Sequence, residues 1–161
     1  MRQKHDFGPV WNEESRILIL GSFPSVKSRE QGFYYGHPQN RFWKLLASLL
    51  REGQPQSIEE KKQFLLQHKI AVWDVIESCE IVGSSDSSIR NVEVNDFSDI
   101  LEKSQIRHIF ANGNKAFELY ERYAKPQTER EAKRLPSTSP ANAAYSLEKL
   151  MEKWTCILED L

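Results

Sequence analysis

Between Gly21 and Trp43 the chain reads GSFPSVKSREQGFYYGHPQNRFW, and most of its chemical character lies there. Gly21, Ser22, Phe23, Pro24 and Ser25 follow the apolar run ILIL at 17–20. A tight turn after a strand can aim backbone N–H groups at a phosphate or the edge of a base. It is equally the form of an ordinary strand-to-helix connection. Phe33, Tyr34 and Tyr35 are consecutive aromatics in a polar loop, where a ring can roof a pocket and stack on a base. The plain alternative packs at least one of them into the core. Asn40 directly precedes the run Phe42, Leu45, Leu46, Leu49 and Leu50, and Asn is a favoured helix cap. Asn112 closes the apolar segment HIFAN before Gly113; it can cap the next helix or present its amide from a strand end, and Asn114 suits either task.

Other chemistries find little support. Two cysteines, Cys79 and Cys156, cannot supply an iron–sulfur cluster or a four-thiolate zinc site. The four histidines, at 5, 37, 68 and 108, show no ligand spacing, so neither metal nor other cofactor is expected. With 39% hydrophobic and 28% charged residues, the 161-residue chain fits one globular domain spanning 1–161. A net charge of −1 does not favour nucleic-acid binding, but a local basic patch can supply it. No run approaches the roughly 18–20 apolar residues of a membrane span. The N-terminal segment MRQKHDFGPVW lacks the apolar stretch of a signal peptide, so the cytoplasm is the expected location.

The elements that must position these residues alternate in kind. Strands are predicted at 17–20, 70–76, 108–112 and 133–137. Helices are predicted after Asn40, over 58–68 behind a Ser57/Glu60 capping box, around Ile100 behind Asp96, through Phe117 and Tyr120, and over 147–158. Such alternation implies an α/β fold, with a central four-stranded parallel sheet flanked by helices. Ligands then bind at the C-terminal ends of the strands. Those ends are Gly21–Ser25, the segment after Trp73, Asn112–Gly113 and Pro136–Asn142, four loops expected to meet at one edge.

G-S-F-P-S followed by Y-G-H-P-Q-N-R-F-W resembles the first motif of the uracil-DNA glycosylase superfamily, and LPSTSPANA (135–143) resembles its second. The likeness is strongest to the mismatch-specific and thymine branch and to the hypoxanthine-DNA glycosylases, and it spans nearly the whole chain. It implies a four-stranded parallel sheet and a repair enzyme that removes a deaminated base from DNA, most directly hypoxanthine from deoxyinosine. The departures are specific. Phe23 stands where uracil-specific relatives carry a water-activating Asp and the mismatch branch an Asn, and the second motif holds no His. In hypoxanthine-DNA glycosylases the Asn of the HPxN segment takes the catalytic role, which here falls on Asn40.

The resemblance also implies the remaining site. Tyr35 occupies the position that stacks on the flipped base, with Gly21, Ser22 and Phe23 beside it. Asn112 reads the base by donating to the carbonyl oxygen of hypoxanthine and accepting from the adjacent ring N–H. Ser137, Thr138, Ser139, Pro140, Ala141 and Asn142 form the loop pressed into the minor groove. Apart from the resemblance, the cations Arg130, Lys133 and Arg134 lie upstream and can bind phosphates, or form a solvated charged face that Glu129 and Glu131 interrupt. No lysine sits in either motif, so no lyase step is implied. The expected partner is DNA containing a deaminated base, with the protein acting as a monomer. The same chemistry on uracil, or a non-catalytic module that binds damaged DNA, are the alternatives.

Overall fold

The computed structural model describes residues 2–161. Four strands form a parallel sheet: β2 (Ile17–Gly21), β3 (Ile70–Asp74), β6 (His108–Asn112) and β7 (Ala132–Leu135), in the order β3-β2-β6-β7. The register sets the site. Gly21 lies beside Asp74, and Asn112 beside Leu135, so the C-terminal ends of all four strands share one edge.

The strands read as continuous apolar runs because both faces of the sheet are covered. Ile17, Ile19, Ile70 and Val72 face α2 (Phe42–Leu50), α3 (Ile58–Gln67) and α7 (Leu147–Trp154), packing with Phe42, Leu46, Leu65 and Trp154. Leu18, Leu20 and Ala71 face the other way, toward Phe97, Ile100, Leu119 and Tyr120 of α4 (Ser98–Glu102), α5 (Asn114–Leu119) and their flanks. Beyond α5 the chain runs through a π-helical turn at 120–124 into α6 (Lys125–Thr128). Glu60 and Ser57 form both bonds of the capping box at 2.9 and 3.0 Å. The Asp96 carboxylate accepts from the Ser98 N–H, and Ser146 caps α7 through the Lys149 N–H.

The segment expected as a single strand over 70–76 is two. The backbone N–H groups of Val75 and Ile76 donate to the carbonyls of Gly21 and Ser22, while the Asn95 amide holds the Asp74 carbonyl at 2.8 Å. The chain turns there and leaves the parallel sheet as β4 (Ile76–Glu80). Between β1 (Arg2–Lys4) and β5 (Arg90–Val94), β4 forms a three-stranded antiparallel sheet that the sequence reading did not anticipate. Its inner face adds Ile76, Cys79, Ile81 and Ile89 to the second core. A short α1 (Val26–Gln31), capped by Ser25, was also unforeseen; it ends at Gly32 in the left-handed region. No helix among the described residues is long and apolar enough to cross a membrane.

Candidate active site

A cavity of about 330 Å³ opens at the C-terminal edge of the parallel sheet. Its walls come from the turn after β2, the loop before α2, the ends of β3 and β6, and the loop after β7. Tyr35, Asn40, Asn112 and Ser137, drawn from three separate segments, all line it, as do Gly21, Ser22 and Phe23. Phe33 and Tyr34 are buried, and the Tyr34 hydroxyl donates to the Gly8 carbonyl, so two of the three consecutive aromatics pack inward.

Asn40 and Asn112 are joined through Thr138. The Asn40 Oδ1 accepts from the Phe42 backbone N–H at 2.9 Å and from the Thr138 hydroxyl at 2.8 Å. The Asn112 Oδ1 accepts from the Thr138 backbone N–H at 3.0 Å, and its Nδ2 donates to Thr138 Oγ1 at 3.1 Å. A backbone N–H can only donate, so both amide orientations are determined. Asn40 is left with an unengaged Nδ2, and Asn112 with one free N–H. One of the readings of Asn112 is removed here. Asn112 caps no helix, because Gly113 precedes α5 and the Asn112 side chain turns to Thr138. Its Oδ1 accepts from one backbone donor and keeps a second lone pair, and its Nδ2 keeps one N–H.

Thr138 also departs from its expected place. It is fully buried, so it bridges the two asparagines instead of contacting DNA. The loop around it is held from within. Arg41 donates to the carbonyls of Ser139, Asn142 and Tyr145, its backbone N–H donates to Thr138, and Trp154 donates to the Pro136 carbonyl. The Asn142 amide is tied to the Ser137 carbonyl at 3.0 Å, which turns it inward rather than toward a partner strand. Pro140 and Ala141 remain exposed at the rim. Arg41 was missed in the sequence, where an Arg beside a candidate Asn carries no signal of a partner about 100 residues on.

Gly21 is required by close approach. A side chain there would place its Cβ 2.4 Å from Asp74 Oδ1 and 3.1 Å from the Tyr35 hydroxyl. The Tyr35 ring stacks on Phe42 with centroids 4.0 Å apart, and the residue sits at φ +53. Burial, then the negative charge of Asp74, push the Tyr35 hydroxyl far above its ordinary pKa, although the Asn112 amide opposes the shift. It therefore stays protonated, and it is buried without a hydrogen-bond partner of good geometry.

Asp74 is the residue that sequence reasoning passed over. Only 3% exposed, it ends β3 and lines the cavity, with Oδ2 held by His5 Nε2 at 2.8 Å. His5 follows β1 and is placed by the antiparallel sheet, through its backbone N–H to the Glu77 carbonyl. A carboxylate ending an otherwise apolar strand was the available signal; nothing local marks His5 as its partner. At the mouth, Asp86 accepts from the Ser22 hydroxyl at 3.1 Å. Two of the three expected phosphate contacts lie elsewhere, while the Arg134 guanidinium sits over the Phe117 ring. The Arg130 guanidinium is engaged by the Ile106 carbonyl, and Lys133 lines a separate depression with Arg107 and His108 at the start of β6. Among the described residues, no group of three or more His, Cys, Asp or Glu is arranged to hold a metal ion.

Comparison with known proteins adds an independent line of evidence. Residues 9–161 match the family model described as the uracil DNA glycosylase superfamily. A hypoxanthine DNA glycosylase from Methanosarcina acetivorans is 40% identical over 156 residues, covering 96% of this chain and 97% of that protein. Another, from Methanosarcina barkeri, is 36% identical over 154 residues, covering 94% and 96%. The solution NMR structure of a candidate uracil DNA glycosylase from Methanosarcina acetivorans superposes with a TM-score of 0.81 at 38% identity, covering 98% of this chain and 96% of that one.

Proposed function

The chain belongs to the uracil DNA glycosylase superfamily, and we propose that it is a monofunctional DNA glycosylase that releases hypoxanthine from deoxyinosine in DNA. The observation that carries this reading is the convergence of Asn40, Asn112 and Tyr35 on one cavity in a chain whose near-full-length relatives bear that activity in their names.

Such an enzyme extrudes the target nucleotide from the duplex at a cost of a few kcal/mol. Pro140 and Ala141, exposed at the rim, suit the gap that the base leaves. Tyr35, braced by Phe42, offers ring surface to the base. The free N–H of Asn112 donates to the carbonyl oxygen of hypoxanthine. The C1′–N9 bond then breaks through an oxocarbenium-like transition state, which needs only a weak nucleophile. Asn40 holds the water, its Nδ2–H donating to one lone pair while the other faces C1′. The water oxygen bonds to C1′, its proton passes to solvent, and the purine leaves with the electrons of the broken bond and is reprotonated. An abasic site remains.

Labelled duplexes carrying one deoxyinosine or one deoxyuridine, treated with the protein and then with alkali, test this reading. The inosine strand is expected to break at the lesion and to do so faster than the uracil strand. Breakage of the uracil strand alone would move the activity to uracil, and binding without breakage of either would leave only a recognition module.

A further inference from the structure

We infer that Asp74 is the acceptor that reads the ring N–H of the excised base, and that its charge is what excludes adenine. The inference rests on the glycosylase reading above and deepens it. Its ground is an unengaged oxygen in a buried carboxylate. Asp74 is 3% exposed, yet its Oδ1 takes no hydrogen bond from any described residue. It lies against Gly21 in the cavity wall, within reach of a Cβ that Gly21 does not have. Open to the cavity, that oxygen is free to accept a hydrogen bond from what enters. His5 supplies one on Oδ2 alone and fixes the carboxyl rotamer in doing so.

The polar groups around that oxygen form a pattern. The free N–H of Asn112 is a donor. Asp74 Oδ1 is an acceptor that cannot become a donor while it is ionised. Hypoxanthine presents a carbonyl oxygen at C6 and an N–H at N1, so the oxygen meets the amide donor and the N–H meets the carboxylate. Adenine presents the reverse: its amino group would face the amide donor, and its N1 lone pair would face a negative charge. The Asn112 oxygen, which already accepts from the Thr138 N–H, is neutral, so the charge that the adenine N1 lone pair meets comes from Asp74. His5 is a positioning residue, acting only through Asp74.

The test compares wild type, Asp74→Asn and Asp74→Ala in single-turnover excision, on duplexes carrying deoxyinosine or 1-methyl-deoxyinosine. The asparagine keeps the shape but presents an uncharged amide. Losing a charge-assisted hydrogen bond should slow excision of deoxyinosine about 10- to 100-fold. The sharper readout is the ratio of the two substrates within each protein, which does not depend on how much of a variant is folded. Wild type should reject the methylated base strongly. Asp74→Ala, with no acceptor and more room, should bring the ratio at least about tenfold nearer to one, as a site built to bind an N–H loses its reason to discriminate. Where excision is too slow, anisotropy binding of the same duplexes supplies the ratio. An unchanged ratio in Asp74→Ala, or wild-type rates in Asp74→Asn, overturns the assignment. Equal slowing on both substrates would move Asp74 to the sugar side and overturn it too. A wild-type protein that leaves deoxyinosine intact fails the glycosylase reading itself, and this inference with it.

Discussion

Asn40 has an amide with a held oxygen and an unengaged nitrogen. Its oxygen satisfies the first backbone N–H of α2 and anchors Thr138, while its nitrogen is left for the cavity. Cap and catalyst are therefore separable by substitution. Asn40→Asp retains an oxygen for both structural bonds, so thermal stability should stay near wild type, with partial activity, since an acceptor replaces the amide donor. Asn40→Ala loses both bonds; a lost cap costs about 0.5–2 kcal/mol, and the melting temperature should drop accordingly. Its single-turnover excision of deoxyinosine should fall about 10²–10³-fold, the usual cost of one transition-state donor. A folded Asn40→Ala with near wild-type turnover would leave Asn40 as a cap only. Both readings of Asn40 could be drawn from the sequence, because a cap is local and the HPQN segment is contiguous. The pair His5–Asp74 is not, because 69 residues and two sheets separate its members.

The junction of β6 and α5 is where the elements hold the site together. Gly113 adopts φ +100 and ψ 166, a conformation that only glycine enters freely, and donates its N–H to the Leu135 carbonyl at the end of β7. A Cβ there would stand 3.0 Å from the Cβ of Ser137. Gly113→Ala should cost about 1–3 kcal/mol of backbone strain, read by urea unfolding. It should also slow excision, because pushing Ser137 outward pulls Thr138 from Asn112. Adding Ser137→Gly should recover part of the steric loss and none of the backbone strain; wild-type stability in the single variant would refute the account. The four parallel strands could be read from their apolar runs, since burial on both faces makes such runs obligatory. The break at Val75 could not, because Val75 and Ile76 are as apolar as the strand they leave. Nor could the antiparallel sheet, whose outer strands RQK and RNVEV are short, charged and mostly exposed.

At the scale of the whole molecule, a protein of net charge −1 must bind a polyanion through the local arrangement of its cations. Several arginines are already engaged internally. Arg29 donates to the Pro24 and Gly83 carbonyls, Arg41 to the loop after β7, and Arg130 to Ile106. Lys27 on α1, held only by an exposed pair with Glu30 at 3.7 Å, and Lys115 on α5 are placed differently. Lys27 lies between the cavity-lining Ser25 and Ser28, and Lys115 is near enough to Asp86 to lower its pKa, partly offsetting the rise that burial causes. Duplex binding should weaken with salt, and the slope of log affinity against log salt should shrink by about one for each phosphate contact removed. Anisotropy titrations across a range of salt are expected to show that loss in Lys27→Ala and Lys115→Ala. Lys133→Ala should keep the wild-type slope, because Lys133 lies in the depression beside Arg107 and His108, away from the cavity. A slope that flattens with Lys133→Ala and holds with the other two would place the DNA across the opposite end of the sheet, where no base could reach Asn40.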